Sequence, residues 1–310
     1  MTSEAPLWEL IEHDAAGHRR TDCLYAALDL GLFDVIRDRP LTLEEAASAL
    51  NTAPRRTKAY LDLMVAYGYL VRHGGSYRQD PELLPLTEPQ RIDNLQRRFA
   101  YPAHTRGSWS LIGSALREDR SVRTFDGLTD RSAEIVHACH VSLGARGYAF
   151  MKDLAPRLTL PANARILDVG GGYGDLCRPF LEQDDGCSAI LFEAPDTLSL
   201  AEDHLRDLGL GDRIKSQAGD FVTDPLPSGF DLVILSAVLQ FYDQHTNRKS
   251  LRRLAHCLNP GGAILVREIL VAADARGPVV GLEFALHMAL NSHQGQAYPV
   301  EIMESLLIDA

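Results

Sequence analysis

Residues 166–176 read ILDVGGGYGDL, an apolar run that enters a cluster of glycines and closes on an acid. From residue 164 onward, short apolar runs alternate with amphipathic helical stretches: ARILDVG, SAILFEAP, RIKSQAGDF, DLVILSAVL and AILVREILV. Strands that are apolar on both faces and separated by helices predict a parallel sheet covered on both sides. The fold class expected is therefore α/β, Rossmann-like and doubly wound. In such a sheet ligands lie beyond the carboxyl ends of the strands, and the turn after the first strand comes nearest to them.

Gly170, Gly171, Gly172 and Gly174 let the backbone approach a ligand with no side chain in between. A dinucleotide fingerprint would need a further glycine where Asp175 stands. A carboxylate at the start of a helix would repel a pyrophosphate that seeks the free amides there. No lysine-serine or lysine-threonine pair makes a P-loop either. The turn thus suits a nucleoside without phosphates. SAILFE ends on Glu193, 23 residues beyond Gly170, where an acid can accept both hydroxyls of a ribose. The two features together describe S-adenosylmethionine (SAM), whose cationic groups would be drawn to carboxylates such as Asp168.

Composition agrees with a small-molecule ligand. The 310 residues are 45% hydrophobic and 24% charged, enough for two buried cores. The formal net charge is −11, whereas a nucleic-acid partner calls for a basic stripe. No segment approaches the ~20 apolar residues of a membrane span, and MTSEAPLWELIEH does not resemble a leader, so a cytoplasmic location is expected. Five scattered cysteines show no metal-ligand spacing and read as reduced thiols.

The first ~100 residues are patterned as helices. Thr42 and Glu45 stand at capping-box distance in LTLEEAASALN, and Pro54 opens PRRTKAYLDLMVAYGYLV. GYLVRHGGSYRQ then alternates around a glycine turn as a hairpin does. This winged-helix pattern raises DNA binding as an alternative. Residues 1–104 hold 12 Lys and Arg against 15 Asp and Glu, which argues against it. Two longer helical pieces follow, RGSWSLIGSALRED and SAEIVHACHVSLGARGYAFMKDLAPRL.

LDVGGGYGDL, FEAP, AGDF, LSAVLQFYD and LNPGGAILVRE together make the chain resemble the class I methyltransferases. It is most similar to the small-molecule O-methyltransferases typified by plant caffeic acid and bacterial antibiotic enzymes. The resemblance implies an N-terminal winged-helix dimerisation domain over residues 1–105, a SAM-binding catalytic domain over 106–310, and a homodimer. It also implies that Gly170 and Gly172 contact the methionine part of SAM and Glu193 its ribose. Asp220 and Phe221 would bracket the adenine, although Asp220 also reads as a turn cap and Phe221 as plain core. Ser236 stands where the family often has a basic residue.

The resemblance breaks at the base. O-methylating members usually carry a histidine where AVLQFYDQH has Gln240, and an amide cannot take a proton near neutral pH. Counterparts of the family's flanking acids are Glu268 and Glu301. Gln240, Glu268 and Glu301 are therefore the catalytic candidates, with either acid serving as base if burial raises its pKa. His245, His287 or His293 could replace the imidazole, and the acceptor pocket is expected to include His104 to Trp109, Phe150, Met151, Phe284 and Met288. Methyl transfer to oxygen of a small aromatic or polyketide-like metabolite is the leading expectation. The alternatives are C-methylation and a fold repurposed for hydroxylation, decarboxylation or cyclisation. The family's last hairpin is expected to be missing after VEIMESLLIDA, leaving AILVREILV as an apolar edge strand in need of cover.

Overall fold

The computed structural model describes residues 5–121, 133–274, 276–292 and 294–310. The chain divides into two compact units, Met1–Phe99 and Ala100–Ala310.

The first unit holds helices α1 (Ala5–Asp29), α2 (Leu32–Val35), α3 (Leu43–Ala49) and α4 (Pro54–Ala66), the hairpin β1 (Leu70–His73) and β2 (Ser76–Gln79), and α5 (Leu84–Thr87). Local chemistry sets its boundaries. The Thr42 hydroxyl accepts the Glu45 amide at 3.2 Å, and the Glu45 carboxylate accepts the Thr42 amide at 2.8 Å, so the capping box is complete. Pro54 opens α4. Gly74 and Gly75 take φ of +54° and +89°, the left-handed pair that a two-residue hairpin loop demands. Leu32, Phe33, Ile36, Leu61, Met64, Leu70 and Tyr77 form the buried core. On α1, by contrast, Leu7, Trp8, Leu10 and Ile11 are exposed.

α6 (Leu95–Trp109) leads into the second unit, followed by α7 (Ile112–Glu118) and α8 (Ala133–Leu154). A five-stranded sheet comes next, with α9 (Arg178–Gln183) and α10 (Pro195–Asp207) flanking β4, and α11 (Gln244–Ala255) between the last two strands. The strands are β3 (Arg165–Val169), β4 (Ser188–Glu193), β5 (Ile214–Ala218), β6 (Phe230–Ser236) and β7 (Leu258–Arg267). Their order is β5-β4-β3-β6-β7 and every pairing is parallel. Period two divides the strand side chains between two cores. Ile166, Leu191 and Ile234 join one, while Leu167, Phe192, Val233 and Leu235 join the other. Burial on both faces is what the continuous apolar runs demanded.

After β4 and β5 are laid on one side of β3, the chain crosses to β6 and β7 on the other. A crevice therefore opens at the carboxyl ends where the winding reverses. β7 stands at the sheet edge and ends at Arg267; Ile269–Val271 leave the ladder, and Val271 bridges to Pro299. α12 (Val279–Asn291) and α13 (Val300–Ile308) complete the unit.

Candidate functional site

At the carboxyl ends of the strands the second unit encloses a cavity of about 870 Å³. The glycine turn, the ends of β4, β5 and β6, and helices α8 and α12 line it. Gly170 and Gly172 adopt φ of +64° and +62°, which L side chains rarely take. Space excludes a side chain as well. A Cβ on Gly170 would meet a Val238 methyl at 2.7 Å, and one on Gly172 would meet the His140 imidazole at 2.7 Å.

The turn does not run straight into a helix. It continues to Cys177 and α9 begins only at Arg178, which carries Asp175 out of the site. Asp175 is fully buried, with Oδ1 at 2.9 Å from His204 Nε2 and 4.0 Å from Arg178 Nη1. Its other oxygen faces Gly144 of α8. The expectation that Asp175 turns phosphates away is therefore corrected, because its charge is paired inside the protein and does not line the cavity.

Asp168 calls for a similar correction. Its carboxyl lies beneath Gly171, where a Cβ would strike it at 2.3 Å, and it is sealed from the cavity. Burial pushes it up to about 7, a donated Cys177 thiol opposes this, and the negative charges of Glu193 and Asp175 add to the rise.

Glu193 does face the cavity. Its Oε2 accepts the Gly172 amide at 3.0 Å and its Oε1 the Ala194 amide at 2.8 Å, so two backbone donors aim the carboxylate. Asp220 closes its own turn, accepting the Val222 amide at 2.8 Å while its amide donates to Asp224 at 2.8 Å. Phe221 is buried at the cavity wall, edge-on to Tyr242 at 5.4 Å between centroids.

Ser236 lines the cavity, and the strand register explains how a basic group outside the lining reaches its hydroxyl. Ser236 pairs with Arg267 across β6 and β7, and the guanidinium donates to the Ser236 hydroxyl at 2.9 Å. A cation is thus supplied from the neighbouring strand.

Gln240 is buried in a short 3₁₀ turn, Leu239–Phe241, and lines the cavity. Glu268 sits behind that turn. Its Oε1 accepts the amides of Val238 and Leu239, each at 2.8 Å. Burial pushes its carboxyl up to about 7 against the pull of these amides and of Arg267. Glu268 is therefore a positioning residue for the turn that carries Gln240. Glu301 is not part of the arrangement. α13 buries Met303 and Leu306, which leaves Glu301 exposed in the first turn and outside the cavity lining. The expected pair of carboxylates around Gln240 is corrected to one, acting through the backbone.

On the opposite wall, α12 contributes Phe284, His287, Met288 and Asn291. Phe284 and Met288 stand where the sequence placed them. Met151 is buried in the core and Phe150 is exposed under the Arg267 guanidinium, so neither lines the cavity. The His104 to Trp109 stretch does not line it either, though the Trp109 ring lies beside that of His287. His245 is exposed, and His293 lies outside the described residues.

Sequence reasoning missed the α8 wall, Val136, Cys139, His140 and Leu143, whose i, i+3, i+4, i+7 spacing was the available signal. It also missed Asp196 and Asp224. With Glu193 and Asp220 these make four carboxylates among the described residues of the lining, and none of those residues is a lysine or arginine. An anionic cradle beside an aromatic wall suits a flat ligand with positive charge and disfavours phosphates.

A model of the O-methyltransferase domain matches residues 128–310, and a model of the O-methyltransferase dimerisation domain matches residues 13–82. The chain is 29% identical over 283 residues to a 3-hydroxy-5-methyl-1-naphthoate 3-O-methyltransferase of Streptomyces sahachiroi, covering 90% of this chain and 82% of the relative. It is 28% identical over 297 residues to the tetracenomycin polyketide synthesis 8-O-methyl transferase TcmO of Streptomyces glaucescens, covering 91% and 85%. Among solved structures, human N-acetylserotonin methyltransferase in complex with SAM matches with a TM-score of 0.80 and 26% identity, over 99% of this chain and 92% of that one.

Proposed function

Because this chain belongs to the O-methyltransferase family and is a SAM-dependent methyltransferase, we propose that it methylates an oxygen of a small aromatic or polyketide-like metabolite. The observation that carries this reading is the cavity itself, whose described lining has four carboxylates, no lysine or arginine, and an aromatic wall on α12. The naphthoate and tetracenomycin relatives support the choice of acceptor.

Bound SAM supplies an electrophilic methyl group on a sulfonium. The chain's own residues hold the two partners in line. Glu193 accepts the ribose hydroxyls, Phe221 packs on the adenine with Asp220 beside it, and the turn at Gly170 and Gly172 admits the methionine part. Ser236, tied to Arg267, fixes the end of β6 beside that turn. Gln240 orients the acceptor oxygen without taking its proton. Such positioning removes ~7–11 kcal/mol from a barrier, whereas a general base adds ~10²–10⁴-fold, so an acceptor that arrives ionised needs no base.

Incubation with methyl-labelled SAM and a panel of hydroxynaphthoates and hydroxyquinones tests the proposal. Labelled ether product is the expected result. Adenosylhomocysteine binding with no transfer to any acceptor would instead indicate a non-methylating step. Gln240→His is expected to raise the single-turnover rate about tenfold on a weakly acidic phenol, below the usual range for a base because no carboxylate among the described residues is aimed at that side chain. It leaves the rate on carboxylate acceptors unchanged. An equal gain on both would show that the residue does not act on the acceptor proton.

The dimerisation-domain match over residues 13–82 and the exposed Leu7, Trp8, Leu10 and Ile11 support a homodimer. Trp8→Glu is expected to shift the mass measured by light scattering toward one chain; an unchanged dimer places the contact elsewhere. Acid outweighs base in this unit, so random duplex DNA at low salt should not be bound tightly.

A further inference from the structure

We propose that His287 anchors the acceptor by donating a hydrogen bond from Nε2 to a carbonyl or phenolate oxygen next to the methylated position, an inference that rests on the preceding reading. His287 and Asn291 stand one turn apart on the cavity face of α12. The hydrogen bonds around Asn291 fix its orientation. Asn291 Nδ2 lies 2.9 Å from the His287 carbonyl oxygen, which can only accept, so the amide nitrogen must be on that side. Its Oδ1 accepts the Ser108 hydroxyl at 2.8 Å. The second Nδ2 proton is left to face His287 Nδ1 at 3.3 Å.

A ring nitrogen that accepts cannot also carry the proton in the neutral imidazole, so the proton belongs on Nε2. The Nε2 atom is 3.4 Å from the Tyr101 hydroxyl, a loose contact that an incoming oxygen can share. Burial holds His287 below the usual histidine range, which keeps it neutral. Protonation at Nδ1 would turn two donors against each other.

The surroundings indicate what the oxygen is attached to. In the cavity lining, the Phe284 ring lies within 20° of the imidazole plane at 6.3 Å and Tyr101 stands edge-on at 5.9 Å, while Trp109, outside the lining, packs beside the imidazole at 6.5 Å. A flat polycyclic acceptor fits such a wall. With its proton fixed on Nε2, His287 distinguishes a hydroxyquinone or hydroxyketone from a plain phenol. It does not act as the missing base.

The test uses the full chain saturated with adenosylhomocysteine and titrated with 1-hydroxyanthraquinone or 1-hydroxyanthracene, which share ring size and hydroxyl but differ in carbonyls. The wild type is expected to bind the quinone about tenfold more tightly. His287→Phe, which keeps an aromatic ring, removes that preference. His287→Gln keeps it, because an amide N–H can stand near Nε2 yet cannot act as a base. Unchanged adenosylhomocysteine affinity reports that each variant is folded. Equal wild-type affinities, binding of neither probe, a preference that survives in His287→Phe, or a His287→Gln variant that behaves like His287→Phe would each overturn the inference. Absence of adenosylhomocysteine binding in the wild type would overturn the preceding reading, and the anchor with it.

Discussion

Glu193→Ala is expected to lower the affinity for adenosylhomocysteine by two orders of magnitude or more. Hydrogen bonds to a charged group contribute ~1.5–3 kcal/mol each, and two ribose hydroxyls on one carboxylate lose both. That is ~10²–10⁴-fold in affinity. A second effect adds to it. The same carboxylate accepts the Gly172 and Ala194 amides, so the variant also loses what aims the glycine turn. Glu193→Gln keeps one good acceptor oxygen and is expected to fall between wild type and Ala. Titration calorimetry with adenosylhomocysteine checks the order. A loss of less than threefold in Glu193→Ala would remove the ribose role.

Glu268→Ala is expected to destabilise the protein severely and Glu268→Gln only slightly. Alanine leaves the buried amides of Val238 and Leu239 without an acceptor, at ~1–3 kcal/mol each, out of the ~5–15 kcal/mol that typically holds a domain together. Glutamine retains a carbonyl oxygen in the same place. If Glu268 were the catalytic base, Glu268→Gln would be folded and inactive; as a positioning residue it stays folded and active.

A pH signature accompanies the substitution. Burial raises the Glu268 carboxyl from its ordinary 4.5 to about 7, and that of Asp168 from 3.8 to about 7. Between the unfolded and folded values the native chain holds more protons than the unfolded one, so stability falls as pH rises through that window. The contribution is complete below the unfolded values and lost above about 7. Thermal melts from about pH 5 to 8 should show a declining midpoint, with a shallower decline in Glu268→Gln. A midpoint that rises with pH in both proteins would contradict this assignment.

The sheet was legible because its central strands, β3 and β6, are apolar on both faces, the pattern of a covered parallel sheet. Thr42, Glu45, Pro54 and the glycine pair at 74–75 were legible because caps and tight turns depend on local chemistry alone. Glu193 could be placed from sequence because the end of a strand fixes its own last side chain. Asp175 could not. The seven residues between Gly170 and the start of α9 turn it inward, and nothing local records that His204 on α10 waits there. The carboxylates of the cavity lining include Asp196, in the first turn of α10, and Asp224, in the turn after β5, which no motif in the sequence brings together. Glu301 was misplaced for a related reason, since the buried face of α13 is decided by what packs against Met303 and Leu306. The cation beside Ser236 depends on strand register, which a single sequence states only faintly.

The residues proposed to hold the ribose and adenine sit at the ends of β4 and β5, whereas the imidazole and its amide partner sit on α12, some sixty to ninety residues further along the chain. Exchanging the segment 279–292 between relatives would thus retune which metabolite is modified without rebuilding the machinery that activates the methyl donor. On that proposal, a change of acceptor needs only a short, contiguous stretch of coding sequence.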